Sequence, residues 1–598
     1  MNMLDRTSKL RMRRIVRRRQ KQVEAATQAA EKQFDRNLIG RFDRLLHVRR
    51  FTLGWIALIL LITFCTVLQT LALSGYYQKV LPAPGGIYNE GVVGSYSNAN
   101  PLFAVGSVDT AVSRLLFSGL LTYDSNNRLV GDLANSFSVD QTGKHYEVKL
   151  KPNLKWHDGQ ALTADDVVFT YHLIQNPDVQ SPLLTSWQNI TVKAVNPTTV
   201  SFDLPNVYSA FPYNLVTGIV PEHLLKDTPA AQVRSTSFNT TKPVGAGPFA
   251  WQAIQTSGSA DPERALTLIA LKPFKEYARG APKLSGYTIH AYGNKERLIE
   301  AFKKRDVNAM TGLDSVPKEL SKTSDVIATS FSSTAAVMSF FKTSSGVLAD
   351  AQVRQALIQG SDVGEIIRSL GYPTKSVNEP LLMGQVGYDA KYAQARYNLT
   401  NANQILDKAG WVRGSDGIRK KNGQRLAFRL YAEETTENRR TANQLVSDWK
   451  ALGADVTPVL QQLTDFQTTL EIRNYDALLY GISIGADPDV YPYWHSTQAD
   501  LLSANRLNFS EYKSATADAS LEAGRTRLSP ELRALKYKPF LQAWQTDAPA
   551  LGLYQPRFLY ITRGNVYNLP SEQPLNVDAD RYSSVSKWEI HTQRVTNN

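Results

Sequence analysis

Two periodicities organise most of this chain. Apolar residues alternate with charged or polar ones at Tyr146, Val148 and Leu150 and again at Val200, Phe202 and Leu204, the period of a strand with one buried face. Between these runs Thr163-Ala164-Asp165-Asp166 has the T-x-x-D form of a capping box and predicts a helix through Val167, Val168, Phe169, Thr170 and Tyr171. Helical segments are predicted over 296–304, 353–358, 402–409 and 439–451, each followed by a turn and a strand-like run. Residues 414–423 (GSDGIRKKNG) read as a hairpin or loop ahead of a strand over 426–431. Alternation of this kind predicts an α/β region whose sheets are covered by helices. One segment has neither period. Residues 51–73, FTLGWIALILLITFCTVLQTLAL, carry no formal charge, and as a helix they would span about 34 Å, enough for a bilayer.

Charge orients that segment. Residues 1–50 hold 15 Lys+Arg against 5 Asp+Glu, a net +10 of the whole chain's +13. The positive-inside bias therefore predicts a single-pass protein of the plasma membrane, with its N-terminus in the cytoplasm and residues beyond 73 outside. A cleaved signal with Ala72-Leu73-Ser74 as its cleavage site is the rival reading, and the 50-residue n-region argues against it. Arg49-Arg50-Phe51 is a poor twin-arginine match because Thr52 follows. The head itself reads RMRRIVRRRQK over 11–21 and then turns alanine-rich, which predicts a helix with one cationic end resting on anionic lipid headgroups. No aromatic residue is interleaved before Phe34, which argues against nucleic acid. The stretch 76–86 (YYQKVLPAPGG) reads as a linker.

The chemistry that enzymes need is missing from the pattern. Cys65, inside the apolar run, is the sole cysteine, so the outer region has no disulfide, thiolate metal site or cysteine nucleophile, and Thr63-Phe64 before it is wrong for lipidation. Eight histidines are scattered with no H-E-x-x-H, G-x-S-x-G or P-loop around them. His157, in Trp156-His157-Asp158-Gly159, reads as a structural hydrogen bonder, and Asp165 and Asp166 as helix-start residues. The expectation is a protein without catalytic activity or cofactor.

A resemblance enters at residues 113–127 (SRLLFSGLLTYDSNN) and 131–174 (GDLANSFSVDQTGKHYEVKLKPNLKWHDGQALTADDVVFTYHLI). It continues through Ile219-Val220-Pro221-Glu222-His223-Leu224-Leu225, Pro243-Val244-Gly245-Ala246-Gly247-Pro248-Phe249, Val353-Arg354-Gln355-Ala356-Leu357, Ala409-Gly410-Trp411, residues 476–496 (DALLYGISIGADPDVYPYWHS) and Asp547-Ala548-Pro549-Ala550-Leu551. In that order these motifs resemble the peptide-binding receptors of ABC importers, extracellular solute-binding protein family 5. The resemblance implies a class II periplasmic-binding-protein fold: two α/β lobes joined by a hinge, with an extra subdomain, here preceded by one transmembrane helix. The expected layout is a head at 1–50, the membrane helix at 51–73, a linker at 74–85, lobe I at 86–121 and 245–325 with its extra subdomain at 122–244, lobe II at 326–565, and a return to lobe I at 566–598. It further implies an oligopeptide ligand and ABC permease subunits as partners. The same fold with a sugar oligomer or metal chelate, or a sensor signalling through the basic head, are the alternatives.

The implied ligand contacts fall in two places. Gly481, Ile482, Ser483, Ile484, Gly485, Asp487 and Asp489 resemble the family's ligand-lining strand and loop, with Tyr491 and Trp494 just beyond, and Phe103, Ser107 and Asp109 lie in or just after its first cleft-lining segment. The best-known peptide receptors place an aspartate for the ligand ammonium three residues before the Asp-Pro pair; here that position is Ile484. Asp487 or Asp489 supplies the charge, or merely caps the loop beside Pro488. Where dipeptide receptors place an arginine for the ligand carboxylate, this chain has Ala432-Glu433-Glu434-Thr435, and Glu433 and Glu434 read there as solvated loop residues. Arg354 reads as structural.

Overall fold

The computed structural model describes residues 6–34, 49–258, 261–372, 374–503 and 506–596. Residues 1–5 and 35–48 of the predicted head lie outside the described residues. Two compact units result, one of residues 1–81 with 592–598 and one of residues 82–591. In the first, a helix runs over Arg6–Phe34 and a second over Arg49–Tyr77. Within the second, Phe51–Ala72 is long and apolar enough to cross a membrane, and none of it is buried against protein. The predicted linker is instead ordered: Gln78–Ala83 is a strand paired with His591–Thr596. Its partner comes from the far end of the chain, beyond the reach of a local pattern.

The larger unit is built on two main sheets. The sheet of lobe I has seven strands in the order Val326–Ser332, Arg557–Arg563, Ala309–Thr311, Ile87–Val93, Gly286–Tyr292, Leu266–Pro273 and Phe249–Ser257. That of lobe II has five, in the order Asp455–Gln461, Ala427–Glu433, Ala477–Ser483, Ala335–Phe341 and Ala550–Tyr554. The alternation of apolar residues explains why the second sheet is covered on both faces. Val337, Phe341, Ala477 and Leu479 enter one core, whereas Met338, Phe340, Leu478 and Ile482 enter another. A third, four-stranded antiparallel sheet (Ala134–Val139, His145–Leu150, Thr199–Asp203, Thr191–Asn196) carries the predicted alternating runs and shares one continuous core with lobe I.

The chain passes between the main sheets twice, side by side. Ser333 N donates to Pro556 O at 3.1 Å, Thr334 N to Leu575 O at 2.8 Å, and Gln555 Nε2 to Ser333 O at 3.3 Å. Because Val326–Ser332 and Arg557–Arg563 pair with each other in the lobe I sheet, these crossings replace the expected boundaries at 326 and 565. Strand-like sequence shows where a strand is, but not which sheet takes it.

Local signals hold well. The Thr163 capping box is present, with Thr163 N donating to Asp166 Oδ2 at 2.9 Å, and opens the helix Ala164–Gln175. Two motifs far apart in sequence meet at the end of the helix Ser107–Leu116: Gly247 N donates to Leu116 O at 2.8 Å, and a Cβ at Gly245 would fall 1.9 Å from that same carbonyl. His157 ties them, its Nδ1 accepting from Gly245 N at 3.2 Å and its Nε2 donating to Gly247 O at 3.1 Å. That arrangement requires neutral imidazole, and burial lowers its pKa from 6.5 to about 4. The unfolded chain then binds the extra proton between those values, so stability is full above about pH 6.5 and is lost as pH falls toward 4. Urea titrations across that window should show lobe I losing about 2–3 kcal/mol, and a His157→Gln variant should lack that component.

Candidate ligand-binding site

Three parallel strands of lobe II, Ala427–Glu433, Asp455–Gln461 and Ala477–Ser483, end at the side where the chain crosses to lobe I, the end of an α/β sheet at which ligands bind. Ala477–Ser483 pairs with Ala335–Phe341 along its whole length. On its other side it pairs with Ala427–Glu433 only from Ala477 to Leu479. From Tyr480 to Ser483 that edge has no strand beside it among the described residues, and Gly481 and Ser483 are exposed. The Tyr493 hydroxyl donates to Ser483 O at 2.6 Å, and the rest of this edge offers backbone donors and acceptors to an added strand.

The loop that follows is fastened to the crossing. Ile484 N and Gly485 N both donate to Thr334 O, at 2.9 and 3.0 Å, and Gln385 Nε2 donates to Gly485 O at 2.8 Å. Gly485 takes φ +79°, a conformation suited to glycine. Asp487 and Asp489 are both neutralised within the protein. Asp487 forms a two-pronged ion pair with Arg533 at 2.6 and 2.7 Å, and Asp489 Oδ2 lies 2.9 Å from Arg525 Nη2. Burial raises the Asp489 carboxyl above its usual range, and Arg525 opposes that shift. As placed here, these aspartates anchor the loop to the helices Ala515–Arg525 and Pro530–Asp547.

Lobe I presents a tyrosine-rich face to this loop. The phenols of Tyr123, Tyr208 and Tyr213 are raised by burial and then by a neighbouring carboxylate, Asp580 for Tyr123, Asp489 for Tyr208 and Asp487 for Tyr213. Beside them Arg114 is paired with Asp580, which also accepts from Asn576 N and Val577 N at 3.2 and 3.1 Å. The lobes touch where Arg557 of lobe I lies over Tyr372 of lobe II at 3.8 Å, and at Arg525. The Arg525 guanidinium lies between Tyr208 of lobe I, 5.1 Å away, and Tyr491 of lobe II, 4.2 Å away, and its carbonyl accepts from both Ser209 N and Ser209 Oγ at 3.0 Å. A cavity of about 650 Å³ opens next to this clamp, lined by Ile190, Tyr208, Asn214, Asp489, Tyr491 and Arg525 among others.

The structure gathers Gly481, Ser483, Gly485, Asp487, Asp489 and Tyr491 at the cleft, with Ile482 and Ile484 turned into the lobe II core. Others it places elsewhere. Trp494 is fully buried against Phe340 and Trp544, and Phe103 is buried in the lobe I core beneath Arg234. The side chains of both aromatics are therefore core rather than cleft wall. Asp109 is spent on its own loop, accepting from Ser97 N at 2.8 Å and Ser97 Oγ at 2.5 Å, while Ser107 is exposed on the first turn of its helix. Arg354 is structural as read, holding Leu348 O and Asp547 O. Arg525, Arg533, Tyr208 and Gln385 were not singled out by sequence, since each acts on a partner 36 or more residues away and no local motif marks them. Among the described residues no group of three or more His, Cys, Asp or Glu is arranged to hold a metal ion.

An Arg525→Ala variant should lose the clamp. The ratio of closed to open molecules is expected to fall about fivefold, the scale of the one contact of its guanidinium that crosses between the lobes, that with Tyr208. The Asp489 pair lies within lobe II and the Ser209 bonds reach the Arg525 backbone, so the substitution removes no other contact between the lobes. Small-angle scattering of the ligand-free protein reads it as a larger radius of gyration, and an unchanged radius would remove the clamp from the account.

A family description, bacterial extracellular solute-binding proteins, family 5 Middle, matches residues 128–501. The chain belongs to this family. Among its members, the oligopeptide-binding protein AppA of Bacillus subtilis (strain 168) is 26% identical over 493 residues, which is 79% of this chain and 87% of AppA. The solved structure of AppA from Bacillus subtilis in complex with a nonapeptide superposes with a TM-score of 0.67 at 24% identity, over 86% of this chain and all of AppA's. NikZ from Campylobacter jejuni in complex with Ni(L-His) gives a TM-score of 0.70 at 24% identity, over 84% and 99% of the two chains. These likenesses show the two-lobed class II periplasmic-binding-protein fold. Family 5 members are peptide-type solute-binding proteins of ABC transporters, and the tyrosine-faced cleft described above lies between the two lobes of that fold.

Proposed function

We propose that this protein is an extracytoplasmic receptor, held in the plasma membrane by the helix over 51–73, that captures oligopeptides between its lobes and delivers them to an ABC permease. The observation that carries the ligand class is the strand edge left open beyond Leu479, where Gly481 and Ser483 are exposed and an extended peptide can pair as an added strand. AppA, which binds oligopeptides, supports the same class. Ligand that touches both lobes favours their closure by its differential affinity for the two forms. The basic head lies in the cytoplasm on anionic headgroups, and tethering raises the receptor's concentration near its permease.

The test is thermal unfolding of the full-length protein in lipid nanodiscs against di- to octapeptides, sugar oligomers and metal chelates. A binder at 100 times its Kd adds about 2.7 kcal/mol. A shift with peptides alone supports the reading; a shift only with a chelate or a sugar oligomer replaces the ligand and keeps the fold. For the anchor, trypsin added to intact spheroplasts should digest residues beyond 73 and spare an N-terminal tag, and cleavage of the tag would reverse the topology.

A further inference from the structure

Several carboxylates near this cleft are already satisfied by the protein. Asp487 and Asp489 have Arg533 and Arg525, Glu434 has Arg439 at 2.5 Å, Glu437 accepts from the Tyr372 hydroxyl, and Asp580 has Arg114. Glu433, at the end of the strand Ala427–Glu433, is not. Its backbone is fixed, since its carbonyl accepts from Asn438 Nδ2 at 3.0 Å and Thr435 N at 2.9 Å, and it stays in register with Gln461 of the next strand. Its carboxylate has no ion pair or hydrogen bond among the described residues, although the residue is half-buried.

Its position is what gives this consequence. Ala427–Glu433 and Ala477–Ser483 are parallel, and their last pair is Ala432 with Leu479. Glu433 is the next residue, opposite Tyr480, where the two strands part and the open edge begins. The Tyr480 phenol is raised by burial and then by the charge of Glu433. A strand added along Tyr480 to Ser483 would start next to this anion. A cation brought by the ligand would give this carboxylate the ion pair that the protein does not supply.

We propose that Glu433 receives a cationic group of the ligand, so that the receptor favours peptides presenting an ammonium or guanidinium at the start of the open edge and disfavours a carboxylate there. The inference rests on the peptide-receptor reading and adds a charge preference to it. The cation has two sources, the terminal ammonium or a lysine or arginine side chain.

Calorimetric titration of the full-length protein in nanodiscs tests it. The probes are serine/alanine octapeptides with one lysine at each position in turn, the matched norleucine set, and the N-acetylated form of every peptide. The expected result is that a lysine at one position, or a free amino terminus, tightens binding about tenfold, the scale of a charge-assisted hydrogen bond, and that Glu433→Gln abolishes this difference while acetylated norleucine peptides bind as before. A preference lost on acetylation assigns the terminus, and one lost with norleucine assigns the side chain. Glu433→Lys should reverse the preference, which guards against a variant that is merely loosened. Peptide binding with no cation preference, or a preference that survives in Glu433→Gln, overturns the inference and leaves the receptor reading standing. Absence of all peptide binding overturns both.

Discussion

Replacing Arg581 by methionine is expected to cost lobe I about 3–5 kcal/mol, the scale of an uncompensated buried charge. Glu90, on the strand Ile87–Val93, is wholly buried, and its Oε1 accepts from Arg581 Nη2 at 2.8 Å and Nε at 3.2 Å. Its Oε2 accepts from Tyr582 at 2.7 Å and from the Tyr287 hydroxyl. Arg581 also donates to Asp578 O at 2.6 Å and lies over the ring of Tyr582 at 4.1 Å. The pair therefore ties the C-terminal segment to one of the first strands of lobe I, 491 positions earlier. Without the guanidinium the carboxylate keeps only two phenols. Trp588, stacked edge-on to Tyr88 at 5.9 Å, reports this region in a urea titration followed by fluorescence. A double variant, Glu90→Leu with Arg581→Met, should recover most of the loss, because an apolar pair removes both charges together. A single variant as stable as the wild type would mean that the network contributes little.

Asp487→Ala should have an effect of the same size in lobe II, about 3–5 kcal/mol, by leaving Arg533 with 6% side-chain exposure and only the Tyr537 hydroxyl at 3.2 Å as partner. The result also separates two roles. An aspartate that served only the ligand could be removed with no change in the melting of the ligand-free protein. An aspartate that holds the loop 485–492 against the helix Pro530–Asp547 cannot. Differential scanning calorimetry of the ligand-free variant decides between them, and Asp487→Leu with Arg533→Met should restore the melting temperature. Unaltered melting in Asp487→Ala would return this residue to the ligand.

The elements were more legible in the sequence than their assembly. The capping box at Thr163, the alternation at Tyr146, Val148 and Leu150, and the helices near 296–304 and 439–451 all recur in the structure within a few residues, because each is set by neighbours less than one or two turns away. Assignment to a sheet was not legible in that way. The strand Val326–Ser332 looks like the start of lobe II by position and joins lobe I because Arg557–Arg563 pairs with it. The cleft divides similarly. The stretch from Gly481 to Asp489 was visible as a motif, but Asp487 reads the same in sequence whether it faces ligand or Arg533, which lies 46 residues away. Aromatic residues have the same ambiguity: nothing local distinguishes Tyr491, beneath Arg525, from Trp494, which packs on Phe340 and Trp544.

By itself, then, the sequence determined the apolar segment and its basic flank, the α/β class and the order of the family motifs, since hydropathy, net charge and period are sums over neighbouring residues. Only the tertiary structure decided which aspartates are already paired, where the chain crosses between lobes, which strand edge stays open, and that Glu433 stands beside it without a partner. Those depend on residues brought together from distant parts of the chain, and a charge is free or spent only once its neighbours in space are known.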